Sequence, residues 1–142
     1  MTQEQYFKNL NRPEGKIDII LDTDTYNEID DQFAIAYMLG HPDKFNVKGI
    51  SAAPFFNEKS TSPEDGMEKS YDEILKVLDL MDRHDLDGVV FRGSKTYLPD
   101  EKTPVESPAA DFMASLANEY TPEKPLYILG IGAITNVVSA IL

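Results

Sequence analysis

Apolar and polar positions alternate four times along the chain between a short apolar run and a longer stretch with helical spacing. Ile19-Ile20-Leu21 is a compact apolar run that breaks abruptly into Asp22 and Asp24, the pattern of a buried strand. After a short loop from Thr25 to Glu28, Asp30-Asp31 open a helix that is apolar nearly all round. It runs through Ile29, Phe33, Ile35, Tyr37 and Leu39 to a stop at Gly40-His41-Pro42. Residues 45–53 alternate and then turn small, a second strand. Ser62-Pro63-Glu64-Asp65 starts a helix with a capping serine, a proline at the first position and acids in the first turn. Met67, Tyr71, Ile74, Leu75, Leu78 and Met81 recur on it at core spacing, and the acidic run 79–87 ends it, with His84 on the surface. A third strand over 89–93 leads into a long loop, 94–107. Ser107-Pro108 starts the next helix, which carries Phe112, Met113, Leu116 and Tyr120. A fourth strand over 126–130 precedes an apolar helix opened by Gly132 to Asn136.

Four strand–helix alternations predict an α/β fold: a mainly parallel open sheet with right-handed crossovers and helices on both faces. Residues 1–16 read as a polar amino-terminal arm that ends in the breaker Asn11-Arg12-Pro13-Glu14-Gly15. The expectation there is a frayed terminus, or an arm laid on a partner subunit. Residues 17–142 read as one α/β domain without internal repeats.

Charge narrows the partners. The 142 residues carry 25 acids against 13 Lys plus Arg, a formal net charge of −12. Such a surface repels nucleic acid and anionic lipid, so a small neutral substrate or a cation fits better. The absence of cysteine excludes disulfides and thiolate metal sites. No apolar run approaches a membrane span, and the start lacks a basic region followed by an apolar core, so the cytoplasm is the expected compartment.

The chemistry concentrates where the first strand meets the first helix. Asp22, Asp24, Asp30 and Asp31 crowd the carboxyl end of one and the amino end of the other, the edge at which open α/β sheets bind ligands. Asp30 as a helix cap, Asp31 as a dipole partner and Glu28 as a solvated loop acid are the plain structural roles. Asp22 and Asp24 fit such roles less well, because both sit directly against a buried strand end. Crowded carboxylates call for a proton or a cation, and hard oxygen-seeking Ca²⁺ or Mg²⁺ suits them. His41, just past a helix end, reads as a cap or surface residue.

Asp22-Thr23-Asp24 followed by Asp30-Asp31 resembles the amino-terminal signature of the nucleoside hydrolases of the inosine-uridine-preferring type, usually Asp-x-Asp-Pro-Gly-x-Asp-Asp. Here two more residues separate the acidic pairs, and Thr25-Tyr26 replaces Pro-Gly. Gly132-Ala133-Ile134-Thr135-Asn136 is similar to a second landmark of that family, Gly-Pro-Leu-Thr-Asn. Spanning residues 17–142, the resemblance implies a Rossmann-like nucleoside hydrolase fold of which this chain carries the amino-terminal half. It also implies Ca²⁺-dependent hydrolysis of the N-glycosidic bond of ribonucleosides to free base and ribose. By resemblance, Asp24, Asp31 and the main-chain carbonyl of Ile131 hold Ca²⁺, Asp24 is the general base, and Asp30 and Asn57 bind ribose hydroxyls. The remaining metal ligand and the leaving-group acid are expected beyond Leu142, and a homo-oligomer or a partner supplying the other half is the implied assembly. Family members often keep a histidine in the loop corresponding to 94–107, and none occurs here.

Two other readings compete. The strand ending in Asp22-Thr23-Asp24 also resembles the haloacid-dehalogenase-type phosphatases, with Asp22 as nucleophile. Tyr26 stands where that family usually has Thr or Val, and the required downstream lysine and acidic pair are not placed. The third reading is a non-catalytic truncated paralogue or half-domain that keeps a metal site for structure.

Overall fold

A computed structural model describes all residues, Met1–Leu142. Four strands, β1 (Ile17–Thr23), β2 (Phe45–Ala52), β3 (Val90–Arg92) and β4 (Tyr127–Gly130), form one all-parallel sheet in the order β3-β2-β1-β4. The helices are α1 (Gln3–Asn9), α2 (Ile29–Gly40), α3 (Pro63–Leu80), α4 (Pro108–Ala117) and α5 (Thr135–Ile141), with a 3₁₀ turn at His84–Val89. The expected open α/β sheet is therefore present. β1 is central and covered on both faces, which is why it reads as a continuous apolar run rather than an alternation.

One face packs Ile19, Leu21 and Ile50 against Ile35, Met38 and Leu39 of α2 and Met67, Ile74 and Leu78 of α3. On the other face α4 stacks Phe112 on Phe91 of β3, with ring centroids 4.0 Å apart. Gly49 lies beneath this pair: a Cβ there would come within 2.7 Å of the Phe112 ring. The β1–β2 register steps from Val47 to Gly49 between Ile19 and Ile20, leaving Lys48 as the extra residue of a bulge.

The helix starts read from Ser62 and Ser107 are both present. Ser62 Oγ accepts from the Asp65 amide and Ser107 Oγ from the Ala110 amide, each at 3.1 Å, with proline following each serine. α2 differs. Its cap position is Glu28, without a side-chain bond, so Asp30 does not cap it. His41 closes that helix, its Nδ1 lying 2.7 Å from the Tyr37 carbonyl oxygen. The outer side of α2 leaves Ile29, Phe33 and Tyr37 exposed by 69%, 68% and 63%, so an all-round apolar helix is here buried on one side only.

The amino-terminal segment is more ordered than its composition predicts. Thr2 Oγ1 accepts from the Gln5 amide at 3.1 Å and caps α1, a helix with no buried residue. The side-chain amides of Gln5 and Asn9 both donate to the Pro122 carbonyl, at 2.9 and 3.0 Å. No apolar stripe announces such a helix, because polar contacts to a turn over a hundred residues away hold it. No helix is long and apolar enough to cross a membrane.

Candidate functional site

β1 has β2 and β3 on one side and β4 on the other, so the loops leaving β1 and β4 diverge at the carboxyl edge of the sheet, the place where open α/β sheets bind ligands. The acids fall at that switch point but into different environments. Asp22 is 0% exposed, Asp24 8% and Asp31 6%, whereas Asp30 is exposed on the first turn of α2.

Asp24 and Asp31 come together as a buried carboxylate pair. Thr23 Oγ1 donates its one proton to Asp31 Oδ2 at 2.6 Å, so the Thr25 hydroxyl, 2.9 Å away, donates to Thr23. Asn27 Nδ2 donates to Asp24 Oδ2 at 2.9 Å, and Asn57 Nδ2 in turn donates to Asn27 Oδ1 at 2.6 Å. Asn57 thus reaches the acidic centre through Asn27. The Lys59 ammonium group holds the Asn27 carbonyl. The Ile131 amide donates to the Asp22 carbonyl at 2.9 Å and extends the β4–β1 ladder into the site. Next to it, Gly132 lies directly on Asp24, where a Cβ would sit 2.8 Å from Oδ1. Only glycine permits this approach of the β4–α5 turn.

Asp22 has a different role from its neighbours. Its Oδ1 accepts from Ser51 Oγ at 2.6 Å and from Asn136 Nδ2 at 2.9 Å, while Oδ2 is buried with no partner. So enclosed a carboxylate cannot meet a phosphoryl group, which removes the basis for Asp22 as a phosphatase nucleophile. Asn136 is fully buried. Besides Asp22 it donates to the Ala52 carbonyl at 3.2 Å, and its Oδ1 accepts from the Ser94 amide at 2.7 Å and the Ser94 hydroxyl at 2.8 Å.

Burial pushes Asp22 up to about 6, aided by the charge of Asp24 and opposed by the Ser51 and Asn136 hydrogen bonds. Burial likewise raises Asp31 to about 6, with Asp24 adding repulsion and the Thr23 hydroxyl opposing it. No ion pair of the chain involves Asp22, Asp24 or Asp31. The site therefore holds more negative charge than its own residues neutralise.

A pH dependence follows for the metal-free protein. The unfolded chain sheds the Asp22 proton around the ordinary 3.8, whereas the folded chain keeps it to about 6. Stability contributed by this group is thus greatest below that window, falls as pH rises through it, and is fully lost above it. Asp22→Asn is expected to shrink the difference in unfolding free energy between pH 4 and pH 7 by about 2 kcal/mol. A buried amide without a partner would offset the absolute gain at pH 7 by about 1–3 kcal/mol. Urea unfolding at the two pH values in calcium-free buffer measures this, and an unchanged difference would show that Asp22 is not the titrating group.

Of the residues singled out in the sequence, Asp24, Asp31 and Asn57 join one hydrogen-bonded cluster with the Ile131–Gly132 turn against it, and Asp30 lies at its exposed rim. Thr23, Asn27 and Asn136 also belong to the site, and the sequence pattern gives them no role of their own. Asn136 stood in a quoted motif, and Asn27 was visible only as a polar residue between two acidic pairs.

A parallel sheet in this order, with buried carboxylates at its switch point, defines an α/β domain of the Rossmann-like class. Residues 18–142 match the family model described as cellulose-binding Sde182, nucleoside hydrolase-like domain, and the chain belongs to that family. No curated protein and no solved structure matches it.

Proposed function

We propose that this domain hydrolyses the N-glycosidic bond of ribonucleosides, as enzymes of the inosine-uridine-preferring type do, with Ca²⁺ at Asp24, Asp31 and the Ile131 carbonyl. The observation that carries the reading is the buried Asp24–Asp31 pair at the switch point, with no cationic side chain to neutralise it. The donors are all oxygen, which suits a hard cation. No three His, Cys, Asp or Glu side chains converge on one point, so main-chain carbonyl and water oxygens must complete the shell.

A bound Ca²⁺ supplies positive charge that lowers the pKa of water. Asp24, with one oxygen held by Asn27, takes the proton from the attacking water. The transition state carries positive charge on the sugar ring, and the buried carboxylates stabilise it. Asp30 and Asn57 hold ribose hydroxyls; an amide both donates and accepts, which matches a hydroxyl. The test combines calorimetry with Ca²⁺ and an assay of free base released from inosine and uridine. Ca²⁺ binding at least about tenfold weaker in Asp31→Asn is expected. Equal affinity would remove the metal assignment, and no base release from either nucleoside by a complete protein containing this domain would remove the hydrolytic one.

A second, non-catalytic reading has its own observation. The family description names cellulose binding, and α2 presents Phe33 and Tyr37 one turn apart and largely exposed. Exposed aromatic faces of this kind pack against apolar faces of ligands. Retention on insoluble cellulose that is lost in Phe33→Ala/Tyr37→Ala, together with no nucleoside hydrolysis, would favour binding over catalysis.

A further inference from the structure

At the opposite end of β1 from Asp24, roughly 20 Å away by strand length, lies a cleft of about 830 Å³. Its roof is α1 and the segment after it. Its floor is the amino-terminal edge of the sheet, and one wall is the turn before β4. The volume falls within the range of small-molecule sites, but only two of the 15 lining residues are hydrophobic. An apolar or lipid-like ligand would gain little there.

The lining carries four cations against three acids, a slight positive excess in an acidic protein. Lys8, Arg12, Lys16 and Lys124 all face this cleft in a chain of net charge −12. None of the four has a carboxylate within 4.0 Å, although six other Lys and Arg residues are paired. Three acids also line the cleft, Glu14, Asp18 and Glu123. Asp18 is already committed to the Asn46 amide and to the Tyr120 hydroxyl, 2.8 Å away, and is part of the fixed floor. All four cations are exposed and hydrated, and Lys124 also feels the charge of Asp18, so an anion entering the cleft would displace water rather than relieve a buried charge.

The roof is held in place before any ligand arrives. Gln5 Nε2 donates to the Pro122 carbonyl and to Asn9 Oδ1, and Asn9 Nδ2 donates to the same carbonyl, which fixes α1 across the cleft. The side-chain oxygens of Gln5 and Asn46 and the Tyr127 hydroxyl remain as neutral polar groups of the kind that meet hydroxyls.

We propose that this cleft binds a small sugar phosphate, the phosphate among Lys8, Arg12, Lys16 and Lys124 and the sugar hydroxyls against the Gln5 and Asn46 side-chain oxygens and Tyr127. The site is separate from the Asp24 cluster and does not depend on the reaction proposed there. Calorimetry on the full chain at low salt, with ribose 5-phosphate, inorganic phosphate and ribose as probes, tests it. Saturable binding of ribose 5-phosphate is expected, weakening as salt rises. Lys8→Gln/Arg12→Gln and, separately, Lys16→Gln/Lys124→Gln should each weaken it at least tenfold with an unchanged circular dichroism spectrum. Asp24→Asn should leave it intact. No saturable binding at millimolar ligand, or binding undiminished in both charge variants, would overturn the site. Equal affinity for inorganic phosphate or for ribose would overturn its assignment to a sugar phosphate.

Discussion

In a complete protein containing this domain, Asp24→Asn is expected to lower base release from nucleosides by about 100- to 10,000-fold, the usual loss when a general base is removed. The substitution keeps the shape of the side chain and an oxygen able to accept from Asn27, so the loop need not move. What disappears is the ability to take a proton, together with one of two negative charges available to a cation. Stability should respond in the opposite direction. Asp24 raises Asp31 both by its charge and by direct carboxyl contact, so removing that charge makes Asp31 easier to ionise. The variant should therefore be at least as stable as wild type at pH 7 in calcium-free buffer. Turnover assays and urea denaturation on the same preparation separate the two effects. Retained turnover would exclude Asp24 as the base, and a parallel loss of turnover and stability would mark it as merely structural.

Asn136→Ala should produce the largest loss of stability, about 3–5 kcal/mol, the range for stripping a partner from a buried charge. The side chain joins α5 to β1 through Asp22, to β2 through the Ala52 carbonyl, and to the segment after β3 through Ser94. Truncation leaves the Ser94 amide and the Ala52 carbonyl unpaired, and leaves Asp22 with Ser51 alone. Such orphaned groups each cost about 1–3 kcal/mol. Gly93 packs so closely that a Cβ there would lie 2.4 Å from the Asn136 amide nitrogen, so this hub is tightly enclosed. Asn136→Asp provides the sign. It keeps an acceptor for Ser94 but sets a second carboxylate against Asp22, so its deficit should exceed that of Asn136→Ala at pH 7 and shrink on acidification. Urea midpoints at pH 5 and pH 7 give both values. A loss below about 1 kcal/mol for Asn136→Ala would show that the network is dispensable.

The sheet and its helices were legible because the relevant signals are local. Ile19-Ile20-Leu21 has no alternation since both faces of β1 are covered, and Ser62-Pro63 and Ser107-Pro108 carry their helix starts within four residues. The break from Leu21 to Asp22 likewise marks the edge where the acids gather, because acids against a buried strand end call for compensation from elsewhere. α1 carries no local signal, for the complementary reason. It buries nothing, and its anchors, Gln5 and Asn9, answer to a carbonyl at Pro122.

Sequence alone thus determined the fold class and the end of the sheet at which Asp22, Asp24, Asp30 and Asp31 gather. How those four acids divide their roles was decided only by the tertiary structure. Successive helix positions point about 100° apart, so Asp31 turns inward to Thr23 and Asp24 while Asp30 faces solvent. Asp22 becomes a structural group because Ser51 of β2 and Asn136 of α5 close over it. Asn57 reaches the centre through Asn27, across thirty residues of intervening chain. Burial, and the pKa that follows from it, depends on what other segments bring to the same place, and no local pattern of residues carries that information.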